Sequence, residues 1–251
     1  MTNKKIIIAN WKMKVGYKAG LKLATNLRKN INTKKWETVL CPDFSGLAAV
    51  GQIIAHSSLQ LGAQNVASQN IGALTGEISP LTLKELGVKY VIIGHSERRK
   101  YFGETDATIN VKLKNILSLK GLTPVLCIGE NDINDDYRLV LMEQLLLAFK
   151  GIKLDKTKNI LVAYEPVWAI GTGQVIAPER AASAHRVIRQ VLEKLYSKNI
   201  FTASFRLLYG GSVDEQNAAQ FKSLENVDGL LVGGASLDPK KFIKICANFA
   251  A

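Results

Sequence analysis

The chain has 251 residues, 47% of them hydrophobic and 22% charged, enough for a real core, and no segment reads as low-complexity or as a linker. No apolar run approaches a membrane span, and Cys41, Cys127 and Cys246 lie too far apart for a disulfide framework or a paired zinc site, so a reduced, cytoplasmic setting is expected. The net charge of +12 comes mainly from lysines scattered through amphipathic stretches, without an arginine-rich arm or interleaved aromatics; this argues against a nucleic-acid partner and for solubility with mild attraction for anionic substrates.

The first residues are basic and then apolar in the manner of a secretory leader, but Trp11-Lys12-Met13-Lys14 interrupts the apolar stretch far too early. Ile6–Ala9 reads instead as a first strand. Similar β-branched or apolar runs follow at Thr38–Cys41, Gln60–Ala63, Tyr90–Ile93, Pro124–Ile128, Ile160–Tyr164, Arg206–Tyr209 and Gly229–Val232. Between them lie stretches of helical period, such as Ile109, Leu113, Ile116 and Leu117, or Val187, Ile188, Val191, Leu192 and Leu195. Unbroken strand–helix alternation predicts a parallel sheet, and eight such units over residues 1–251 predict a single closed (β/α)8 barrel domain. An open doubly wound sheet is the alternative; it would usually show Gly-x-Gly-x-x-Gly after the first strand, where Asn10-Trp11-Lys12 stands.

Active sites of such barrels lie at the C-terminal ends of the strands, so the residues just past each run are the candidates. Asn10 and Lys12 follow strand one, with Trp11 limiting flexibility; an isolated lysine is more commonly a solvated surface residue. Gly94-His95-Ser96-Glu97-Arg98-Arg99 follows strand four. His56 and His185 are expected inside helices, whereas His95 begins a helical turn whose backbone N–H groups disfavour the protonated ring. His95 and Glu97 have no third ligand at helical spacing, so no metal is expected. After strand six, Ala163-Tyr164-Glu165-Pro166-Val167-Trp168-Ala169-Ile170-Gly171-Thr172-Gly173 fixes a carboxylate at a strand end and joins it to a glycine-tipped flap. A strand followed by a plain surface turn would use Pro and Gly equally well, but a base beside a hinged lid suits proton transfer away from water. Finally, Tyr209-Gly210-Gly211-Ser212-Val213 and Val232-Gly233-Gly234-Ala235-Ser236 place glycine pairs at two successive strand ends, where backbone N–H groups can approach an anion.

These strings, together with Gly62-Ala63-Gln64-Asn65, Thr75-Gly76-Glu77 and Cys127-Ile128-Gly129-Glu130, resemble the triosephosphate isomerase family over nearly the whole chain. The resemblance implies a TIM barrel that interconverts dihydroxyacetone phosphate and D-glyceraldehyde 3-phosphate through an enediolate, without a cofactor, in glycolysis and gluconeogenesis. It implies that Glu165 is the base, that His95 polarises the carbonyl as neutral imidazole, and that Lys12 stabilises the enediolate charge. Asn10 would orient substrate, Glu97 would support the site, and the backbones of Gly171, Ser212, Gly233 and Gly234 would cradle the phosphate. Pro166, Trp168 and Gly173 would belong to the lid, latched when closed by Tyr209 and Ser212 on backbone N–H groups near Ile176 and Gly173. A homodimer would form through the Asn65–Glu77 loop, leaving a small phosphorylated triose as the other partner. The chain departs from the family pattern at Asn131–Tyr137, which looks shortened. It departs again at Leu74, at the hinge Gln174-Val175-Ile176, and at Ala177, where a helix-capping threonine is usual. A different phosphosugar isomerase or lyase on the same barrel would share the glycine pairs but not the lid string or Gly-His-Ser-Glu-Arg.

Overall fold

A computed structural model describes residues 4–31, 35–172, 174 and 176–250. The eight predicted strands are all present: β1 Ile6–Asn10, β2 Glu37–Cys41, β3 Leu59–Ala63, β4 Val88–Ile93, β5 Thr123–Ile128, β6 Ile160–Tyr164, β7 Phe205–Tyr209 and β8 Gly229–Val232. They close in sequence order, β1 beside β8, and every pairing is parallel. A closed parallel sheet buries both faces of each strand, which is why its strands read as continuous apolar runs. Alternate side chains divide between two layers. Ile6, Ile8, Val39, Ile92, Val125 and Leu161 belong to a cluster that fills the barrel interior, while Ile7, Leu40, Val91, Leu126 and Val162 join the core packed under the helices.

The helices are α1 Tyr17–Asn30, α2 Leu47–Ile54, α3 Pro80–Glu85, α4 Ser96–Phe102, α5 Asp106–Ser118, α6 Tyr137–Ala148, α7 Pro178–Ser204, α8 Ala218–Lys222 and α9 Pro239–Ala250. In α5 the periodic residues Ile109, Leu113, Ile116 and Leu117 are buried as their spacing predicts. In α7 only Ile188 and Leu192 of the predicted stripe are buried, and Leu195 points to solvent. His185 lies within α7 and is fully buried. His56 does not lie in a helix: α2 ends at Ile54, and His56 occupies a left-handed turn with φ +59°. Among the described residues no helix is long and apolar enough to cross a membrane.

One glycine decides how the C-terminal ends of β5 and β6 are set. A Cβ on Gly129, just past β5, would lie 1.7 Å from the Glu165 carbonyl oxygen. Its absence lets the chain after β6 sit close enough for the Glu165 N–H to donate to the Ile128 carbonyl at 2.7 Å. The backbone of Glu165 is thereby fixed to the neighbouring strand.

Candidate active site

Asn10, the last residue of β1, is buried and uses its side-chain oxygen to accept the Lys12 N–H at 3.1 Å. That bond helps hold Lys12 at φ +52°, a left-handed conformation that costs a non-glycine residue on the order of 1 kcal/mol. Gln64, just after β3, completes the clamp by donating from Nε2 to the carbonyls of Lys12 and Cys41 at 2.9 and 3.0 Å. Each such bond returns about 0.5–1.5 kcal/mol. The Lys12 ammonium then lies 2.7 Å from Glu97 Oε1. In the sequence Gln64 stands out only as part of a matching string. Nothing in that string says that the loop after β1 needs an outside hand, so its role stays hidden until the strands meet.

His95 caps α4, accepting the Glu97 N–H on Nδ1 at 3.2 Å. A nitrogen that accepts must keep its lone pair, so the ring proton belongs on Nε2, which lies 3.1 Å from Glu165 Oε1. The second Glu165 oxygen accepts the Ser96 N–H at 3.1 Å. Burial favours the neutral form of both partners, but their mutual attraction prevails. The Glu165 carboxylate carries the His95 pKa above its usual value despite burial. Burial likewise pushes Glu165 up, but His95, the Ser96 N–H and Lys12 hold it below the usual carboxylate value. Glu165 is therefore an ionised base parked against His95 and Ser96. Gly210 borders it closely: a Cβ there would stand 3.0 Å from Glu165 Cγ.

A cavity of about 270 Å³ opens beside these groups at the C-terminal ends of the strands. Asn10, Lys12, His95 and Glu165 line one part; Gly171, Ser212, Gly233 and Gly234 line another, with Lys14, Gly210, Gly211 and Asp214. A Cβ on Gly233 would touch Lys12 Cε at 3.4 Å, so this glycine keeps the passage beside the lysine open. Gly171 sits at φ +72°, exposed at the rim. The named candidates thus meet at one cavity, except Glu97, which reaches it through Lys12 and His95, and the lid-base and latch residues described next.

Beyond β6 the chain passes Pro166 into a short 3-10 turn, Val167–Ala169. Trp168 Nε1 donates to Glu130 Oε1 at 3.0 Å, an oxygen that also accepts from Tyr164 Oη at 2.9 Å and Arg180 Nη2 at 3.1 Å. The Ser212 hydroxyl, the expected latch of the closed lid, here donates to the Ala169 carbonyl at 2.7 Å. Among the described residues the buried Tyr209 hydroxyl has no hydrogen-bond partner, and Ile176 is buried. Gly173 and Val175 lie outside the described residues. Ala177 caps α7 without a side-chain bond, and Pro178 opens the helix in its place. Cys41, Cys127 and Cys246 are free and buried. Among the described residues no group of three potential metal ligands occurs.

The family described as triosephosphate isomerase matches residues 5–249 of this chain. The triosephosphate isomerase of Alkaliphilus oremlandii is 42% identical over 246 residues, covering 96% of this chain and 98% of that protein. That of Aquifex aeolicus is 42% identical over 250 residues, covering 98% and 100%. That of Dehalococcoides mccartyi strain CBDB1 is 44% identical over 249 residues, covering 98% and 96%.

Proposed function

The chain belongs to the triosephosphate isomerase family, and on that premise we propose how its residues divide the work of the reaction. It is an intramolecular oxidoreductase that interconverts dihydroxyacetone phosphate and D-glyceraldehyde 3-phosphate through an enediolate. The substrate's phosphate sits against the Gly171, Ser212, Gly233 and Gly234 backbones, and its reacting carbons face Lys12, His95 and Glu165. Glu165 leaves Ser96, takes a proton from the hydroxyl-bearing carbon next to the carbonyl and returns it to the former carbonyl carbon, while His95 Nε2 gives a proton to the carbonyl oxygen and recovers one from the neighbouring hydroxyl, so that hydroxyl and carbonyl change places. His95 Nε2–H donates to the oxygen where charge develops, and the Lys12 ammonium balances that charge. The split between a carboxylate base and a neutral histidine is the general pattern of this enzyme class, and the geometry of this chain supports it without being its source. Once Glu165 moves onto substrate, the influence that raises the His95 pKa weakens; burial and the Glu97 N–H on Nδ1 then favour the neutral ring.

The observation that carries the reading is the buried Glu165–His95 contact, facing Lys12 across a cavity whose other side is lined by glycines. Turnover of glyceraldehyde 3-phosphate, coupled to a reductase that consumes dihydroxyacetone phosphate, tests it. The pure protein should turn over at an enzymatic rate, and a rate no greater than the uncatalysed one would refute it.

We place the chain in a reducing, cytoplasmic setting, a reading supported by its three free buried cysteines. The Asn65–Glu77 loop joins two copies into a homodimer. Exposed apolar groups support this: Ile71 and Leu74 on the loop are 83% and 41% exposed, and Met13 and Phe102, on other segments at the catalytic end of the barrel, are 92% and 70% exposed.

A further inference from the structure

Helix α6 has an apolar face that the barrel does not use. Its inward residues Leu141, Leu145 and Ala148 are fully buried. Leu139, Met142 and Leu146 are 59%, 40% and 45% exposed, and Leu147 beside them is 40% exposed. At about 100° per residue the first three fall within roughly 60° of one another, on the side where a surface helix is normally polar. Glu143, exposed at the flank of the stripe, and Arg138 are the only charges within the helix. The two ends differ in sign. Asp132, Asp135 and Asp136 precede the helix, Lys150 and Lys153 follow it, and all five are exposed.

We propose that this face docks a second copy of the same chain, with the two α6 helices antiparallel about a two-fold axis near Met142 and Glu143. Such an axis sets Leu139 against Leu146 of the second copy, because the two are equidistant from the helix midpoint, and brings the acidic turn holding Asp132 and Asp135 toward the second copy's basic segment holding Lys150 and Lys153. A parallel arrangement would set acidic end against acidic end. An apolar stripe with Glu143 at its flank and opposite charges at its two ends is thus its own complement when turned end for end, which is what an isologous contact requires. One helix pair covers less than the roughly 800 Å² per partner of a standard interface, so a single contact is weak. If the loop dimer also forms and its axis stands perpendicular to this one, two such contacts close a tetramer and reinforce each other.

Sedimentation across the micromolar to millimolar range tests the proposal, with circular dichroism and isomerase turnover confirming that each variant is folded. The wild-type chain should reach twice the mass of L139E/L146E at high concentration. D135K and K150D should each weaken association, and D135K/K150D, which restores opposite charges across the same axis, should recover it. Equal mass for wild type and L139E/L146E at every concentration would overturn the proposal, and is the outcome for a face kept for some other partner. Single reversals without effect, or a double reversal that fails to rescue, would overturn the antiparallel arrangement and self-docking with it.

Discussion

At the scale of single residues, Asn10, Lys12, His95 and Glu165 were legible because a barrel puts its chemistry at strand ends, and each of them lies at or just past one. What was not legible is how they are held: the left-handed Lys12 clamped by Asn10 and Gln64, and Glu165 parked on the Ser96 N–H. These depend on residues far apart in sequence that meet only when the barrel closes. His185 shows a side chain set by burial and one backbone contact, outside the cavity. Its Nδ1 lies 2.8 Å from the Asn226 carbonyl, and burial drives its pKa down to about 4 from 6.5. The unfolded chain binds this proton below pH 6.5 while the folded chain refuses it until about pH 4. The stability it contributes is therefore present above pH 6.5 and lost as pH falls toward 4, about 3 kcal/mol in all. His185→Gln should flatten the fall in urea midpoint across that window, compared with wild type. An unchanged slope would show that His185 does not carry it.

At the scale of elements, the eight strands were readable because strands buried on both faces leave continuous apolar runs, and the structure extends them mostly by polar or edge residues such as Asn10 and Glu37. His56 was misplaced because the apolar pattern of α2 stops at Ile54 and the next residues turn. The lid was legible as a segment but not as a mechanism. Trp168 at its start and Arg180 just past its end meet on the same Glu130 oxygen, and the Arg180 guanidinium lies 5.7 Å from the Trp168 ring centre. That junction ties both lid roots to the loop after β5. In the proposed closure the Ser212–Ala169 bond would be exchanged for new ones, and the Tyr209 hydroxyl, without a hydrogen-bond partner among the described residues, would gain one. Deleting Ile170–Gly173 should leave proton abstraction possible but divert a large share of turnover to phosphate loss, seen as methylglyoxal formed per substrate consumed. Tyr209→Phe should leave folding unchanged and raise that ratio more mildly, since one hydrogen bond contributes about 0.5–1.5 kcal/mol. Clean isomerisation by the lid-deleted chain would show that the lid does not guard the intermediate.

At the scale of the whole molecule, the charge of +12 is spread unevenly over the loops. The segment 150–159, which leads into β6 at the opposite end of the barrel, carries Lys150, Lys153, Lys156 and Lys158 against Asp155 alone. On the catalytic side, Glu130, Asp132, Asp135 and Asp136 follow β5 with no basic residue among them. Lys12 and Lys14 line the cavity and set positive charge close to where an anionic substrate would lie. Composition could not reveal this because only the barrel's direction assigns each loop to an end. Assembly belongs to this scale too: light scattering should give at least the dimer mass at micromolar concentration, and deleting Ala73–Gly76 should release weakly active subunits that no longer pair through the loop. A monomer mass for the intact chain would refute the loop interface. The whole mechanism turns on Glu165 as the base, and steady-state kinetics of Glu165→Gln test that most directly. With the base removed, kcat should fall by roughly 10²–10⁴ or more with KM much less changed, since the phosphate is held elsewhere. A variant that keeps more than about a tenth of wild-type kcat, well outside the loss expected for a general base, would contradict it.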